Sequence, residues 1–220
     1  MVKLSCVVMF LEKLPVTFTN VASEVQKNFC EFENVEPNRL VLEKNQSMDD
    51  VPDDVPVCIF SSETYEIFLA KGRFVFTEKV LNELSIKEYS NKIKETTDKV
   101  TSILSSTPKF KGIKYRLGVV VEGNISSKSA AFDIVKDIIG NDMNSRCDEI
   151  ELSVNNNKES QKYVLNCWRR IYSNENGNYF LVDINNHVNT PAILGMTDVN
   201  ELYEDIIKDD LEVVLNDLSR

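Results

Sequence analysis

The sequence predicts an α+β protein made of two tandem units, each running strand, helix, antiparallel strands, helix, with the helices packed on one face of a curved antiparallel sheet. Three observations lead there. Ile113, Tyr115, Leu117, Val119 and Val121 alternate with polar or small residues, the period of a strand with one buried face. Ile86, Tyr89, Ile93, Val100, Ile103 and Leu104 recur at helical spacing behind Ser85 and Glu88, which form a capping box. The order of elements in residues 1–110 recurs in 111–220. The two halves therefore read as a pseudo-repeat forming one continuous domain.

Taken in order, Leu4 to Leu11 is a short apolar run, read as a strand buried on both faces rather than as a signal peptide, since no small-residue cleavage site follows. Phe18, Val21, Ala22, Val25 and Phe29 predict a helix, and Arg39 to Glu43 a strand. The segment from Met48 to Pro56 holds two prolines and four aspartates, so it predicts an exposed acidic loop. Strands follow at Val57–Ser61, Tyr65–Ala70 and Arg73–Thr77, with Lys71-Gly72 as a hairpin turn. The capped helix ends before Pro108.

In the second half, Ala131, Ile134, Val135, Ile138 and Ile139 predict a helix closed by Gly140. Ile150, Leu152 and Val154 alternate as a strand. Tyr163 to Tyr172 is another, and Asn176-Gly177 is a hairpin turn into Tyr179–Ile184. Asp198 and Glu201 cap a last helix whose inner face carries Val199, Leu202, Tyr203, Ile206, Val213 and Val214.

Composition narrows the function. The chain has 220 residues and a net charge of −10, from 25 basic and 35 acidic side chains. Both halves share the acidic excess, −4 over residues 1–110 and −6 over 111–220. Such a field repels phosphate, which disfavours direct nucleic-acid binding and points toward a protein partner, a basic one above all. The five cysteines have no CxxC spacing and there is one histidine, so the thiols read as buried and reduced, in a cytoplasmic protein without zinc. No apolar run approaches membrane-spanning length. Phosphate-loop, dinucleotide-fold, nucleophile-elbow and zinc-protease motifs are missing, which leans away from an enzyme and implies no cofactor. The aspartates of the acidic loop lack the spacing, glycine and distal glutamate of a calcium hand.

The element order is similar to that of the TATA-binding-protein fold, whose sheet forms a saddle; the likeness is of order alone and implies nothing about DNA. Arg116-Leu117-Gly118 with Asn124, then Leu181-Val182-Asp183-Ile184-Asn185 and a terminal helix, resembles an uncharacterised, sporadically distributed prokaryotic protein family. The likeness covers the C-terminal half. Asn185 departs from that family's second aspartate, and the family lends no activity.

Two rows of side chains are candidate sites. Asn166, Trp168, Arg170 and Tyr172 share one face of their strand, opposite the apolar set Leu165, Cys167 and Ile171. Tryptophan, tyrosine and arginine are the residues that anchor binding interfaces. Asp183, Asn185 and His187 share a face of the next strand, where Asp183 could orient the imidazole for acid–base work or ligand binding, with Arg116 nearby. The C-terminal helix adds eight acids and one lysine over residues 197–217. The expectation is a non-enzymatic interaction protein that presents an open sheet face and acidic helices to a partner. The alternatives are a small-ligand or nucleotide binder or weak enzyme using Asp183 and His187, and an acidic mimic of nucleic acid.

Overall fold

Alternation decides how the first strand sits. In β1 (Val2–Phe10) the residues Val2, Leu4, Cys6, Val8 and Phe10 are buried, while Lys3, Ser5, Val7 and Met9 keep partial exposure. The run expected to be buried on both faces is therefore buried on one, and the other face of the sheet is where the structure becomes functionally interesting. The computed structural model describes residues 1–12, 19–29, 32, 35–82, 84–106, 110–126, 149–159, 163–174, 179–193 and 199–218.

The strands that follow are β2 (Asn38–Arg39), β3 (Pro56–Ser61), β4 (Tyr65–Ala70), β5 (Arg73–Val80), β6 (Lys114–Ser126), β7 (Glu149–Glu159), β8 (Val164–Asn174), β9 (Tyr179–Val188) and β10 (Ala192–Ile193). They form a ten-stranded sheet in the order β2-β3-β4-β5-β1-β6-β9-β8-β7, with β10 added against β6, and every pairing is antiparallel. Lys71 and Gly72 make the tight β4–β5 turn as expected. The expected strand at Arg39–Glu43 contracts to the two residues of β2, and Val41 is 88% exposed.

Among the described residues, three helices cover one face. They are α1 (Thr19–Asn28), α2 (Ile86–Ser106) and α3, which runs from Val199 to Leu218 and contains a wide π-turn at Tyr203–Ile207. Helix α2 starts where the capping box places it: the Ser85 amide and hydroxyl both donate to Glu88 Oε2, at 2.7 and 2.6 Å. It lies over β1 and β5 and touches both α1 and α3. Phe29 at the end of α1 stacks on Phe76 of β5, with ring centroids 5.0 Å apart. Lys99 of α2 lies 4.5 Å from the Tyr65 ring centroid.

The π-turn changes which residues of α3 face inward. Leu202, Tyr203, Ile207, Leu211, Val214 and Leu215 are buried, whereas Val213, expected on the inner face, is 57% exposed. The wide turn adds a residue to one helical loop and rotates everything after it. Asp210 of the same helix is buried, at 5% exposure.

The helix expected at 131–140, the turn at 176–177 and the cap at Asp198 lie outside the described residues. No described helix is long and apolar enough to cross a membrane.

Candidate functional site

The register of the second half assembles the uncovered face strand by strand. Gly118 and Glu122 of β6 sit opposite His187 and Asp183 of β9. On β9's other side, His187 pairs with Asn166, Asn185 with Trp168, Asp183 with Arg170 and Leu181 with Tyr172. Beyond β8, Asn157, Asn155, Ser153 and Glu151 of β7 complete these rows. The row Asn166, Trp168, Arg170 and Tyr172 thus lies away from the helices, while Leu165, Cys167 and Ile171 of the same strand are buried beneath them. Trp168 and Tyr172 are half-buried, Arg170 is exposed, and Leu181 is 46% exposed.

Neighbouring strands hold these side chains in place. Asn166 Nδ2 donates to Asn157 Oδ1 at 2.8 Å and to Asn155 Oδ1 at 3.0 Å. Arg170 grips Glu151 with two bonds, Nε to Oε1 at 2.8 Å and Nη2 to Oε2 at 3.2 Å. Both partners are exposed, so this pair orients the guanidinium more than it stabilises the fold.

Glu122, Glu151, Arg170, Tyr172, Leu181 and Asp183, with Val182, line a pocket of about 380 Å³ on this face. Burial raises the Asp183 pKa, the Glu122 carboxylate raises it further, and Arg170 pulls it back down. The pocket combines a carboxylate pair, an aromatic wall and an aliphatic wall, a lining that suits a cationic or hydrogen-bond-donating group with an apolar stem.

Asp183 and His187 do share a face, yet the structure does not bring them together. Four residues along a strand span about 13 Å, far beyond hydrogen-bond reach. Asp183 sits with Glu122 and Arg170, while His187 sits beside Gly118 and Asn166. Burial lowers the His187 pKa and the nearby Arg116 charge lowers it further, against a hydrogen bond with Asn189. Among the described residues no group of three His, Cys, Asp or Glu side chains could hold a metal ion.

Sequence reasoning missed Glu122, Glu151 and Leu181, because their proximity depends on pairing register across strands. It also missed a polar cluster beneath the helices. Asp210 of α3 accepts bonds from Lys158 of β7, Arg169 of β8 and Asn186 of β9. Burial pushes the Asp210 pKa up, but the bonds from Arg169 and Lys158, the Arg169 charge and the Asn186 amide outweigh it and hold the carboxyl at about 2. The signal available in sequence was Arg169 itself, a charged residue in phase with Cys167 and Ile171.

Comparison of the chain with protein-family models, with curated proteins and with solved structures returns no match.

Proposed function

We propose that this is a non-enzymatic interaction protein whose partner, a protein with basic groups, docks on the uncovered sheet face of the second half. The observation that carries the reading is the Trp168 row. It sets two half-buried aromatics and an oriented arginine in the open, beside the pocket formed with Glu122, Asp183 and Leu181. Anchors of this kind, set among polar residues, are what concentrate binding energy in protein interfaces. The carboxylate pair favours a lysine or arginine from the partner, in keeping with a net charge of −10. The acidic face of α3, where Glu201 and Asp209 are exposed, offers the same partner a second contact.

The two halves, 1–110 and 111–220, are in this reading a pseudo-repeat. Its support is the strand order: β1-β5-β4-β3 runs outward on one side of the central β1–β6 pair, and β6-β9-β8-β7 runs outward on the other. Buried free thiols at Cys6, Cys58 and Cys167 suit a reducing, cytoplasmic setting.

The test is a pull-down at physiological salt with wild type and with the Trp168→Ala/Arg170→Ala double variant. The variant folds, because neither side chain belongs to the buried set of β8, and it loses the partner, since such anchors each cost about 2 kcal/mol or more when truncated. A folded variant that still binds places the interface elsewhere; one that unfolds shows the row to be structural.

A second reading, small-ligand binding, draws on the size of the same pocket, about 380 Å³. A thermal-shift screen across cationic ligands, nucleotides and metals separates the two, because a ligand at a hundred times its dissociation constant adds about 2.7 kcal/mol.

A further inference from the structure

The middle of the uncovered face carries a second cluster, of opposite charge. Met9 of β1 pairs with Arg73 of β5 on one side and with Arg116 of β6 on the other. The two arginines therefore flank one residue on the same face, their Cα atoms about 10 Å apart by the spacing of adjacent strands. The Arg73 guanidinium lies over the Phe68 ring, with Cζ 4.8 Å from its centroid. Phe68 continues sideways into Val75 and then Val7, so the cations border an apolar strip.

Neither guanidinium forms an ion pair among the described residues, whereas Arg169 and Arg170 each have a carboxylate. The two arginines are neighbours on this face of a chain with ten more acids than bases. The Nε atoms of both are buried and have no hydrogen-bond partner among the described residues, and a buried polar atom of that kind calls for an acceptor. His187 lies close enough to Arg116 for that charge to help keep its imidazole neutral.

The geometry points to an oxyanion site between Arg73 and Arg116, for a carboxylate or phosphate monoester whose apolar part lies along Phe68, Val75 and Val7. Planar guanidinium forks match the geometry of both oxyanions and accept them in bidentate fashion. This site is separate from the Trp168 pocket and does not depend on the partner-binding reading.

Phenyl phosphate and benzoate, titrated separately into the full-length protein, test it. Arginine Nε–Hε resonances in nitrogen-15 spectra of the wild type are the direct readout. The Arg73 and Arg116 signals should move together with one midpoint, while that of Arg170 stays still. Arg116→Gln and Arg73→Gln should each weaken binding about tenfold or more, the equivalent of one charge-assisted hydrogen bond, and Arg170→Gln should not. Tighter phenyl phosphate assigns the site to phosphate monoesters, and tighter benzoate assigns it to carboxylates. If neither probe binds below about 10 mM, a free energy too small for two engaged guanidiniums, the proposal is overturned. Equal shifts at all three arginines, or equal losses in all three variants, overturn it too. Should one Gln variant fail to fold, the wild-type spectra and the other variant still decide.

Discussion

Leu117 is fully buried in β6, opposite Val8 of β1, at the strand pair that joins the two halves of the sheet. Leu117→Ala leaves a cavity there and should cost about 2–5 kcal/mol, read as a fall in the urea midpoint. An unchanged midpoint would mean that the side chain faces solvent. Asp210 makes a different kind of contribution. Its carboxyl titrates near 2 in the folded protein, below its ordinary value of 3.8, so its charged form is stabilised by folding. That stability is fully present above about pH 4 and is lost as pH falls toward 2, an amount on the order of 2 kcal/mol. Asp210→Asn should therefore be less stable than wild type at neutral pH, and the gap should close between about pH 4 and 2. Urea midpoints of both proteins across pH 2 to 7 measure it; a constant gap would show that the Arg169 and Lys158 contacts carry no linkage.

At the scale of elements, the π-turn in α3 makes a testable distinction between adjacent valines. Val213 is 57% exposed and Val214 is 5% exposed. Val213→Lys should change stability by no more than about 0.5 kcal/mol, as expected of a surface site. Val214→Ala should lower the thermal midpoint clearly, because it removes core methyl groups. A clear loss at both positions would restore an uninterrupted α-helical phase. One glycine also matters to an element: Gly123 of β6 has φ +135°, and a Cβ there would lie 2.4 Å from the Met1 carbonyl oxygen. That close approach lets the start of β1 lie against β6.

At the scale of the molecule, the central β1–β6 pair carries the argument. Nine residue pairs join Val2–Phe10 to the second half, and the inner residues of both strands belong to one buried cluster. The whole chain should therefore unfold in a single cooperative transition, with Trp168 fluorescence and far-ultraviolet circular dichroism tracing the same curve. Two separated transitions would show halves that fold independently.

Much of this was legible in the sequence because local chemistry is enough to specify it. The Ser85–Glu88 cap, the Lys71-Gly72 turn, the alternation along β6 and the opposed faces of β8 follow from hydrogen-bonding valence and from side-chain periods of 3.6 and 2, which no distant residue can alter. Period two also placed Asp183, Asn185 and His187 on one face. It could not say that Asp183 would meet Glu122 and Arg170 instead of His187, since that depends on which strands lie side by side and in what register. The outward turn of Val213 comes from a wide helical turn that packing selects and composition does not mark. The face of β1 left uncovered, and the meeting of Arg73 with Arg116 across Met9, likewise arise only when strands far apart in the chain are laid together. Which residues share a face was set within each strand, by the backbone's own geometry; which faces meet, and so where a ligand or partner can sit, was decided by the order in which the sheet assembles.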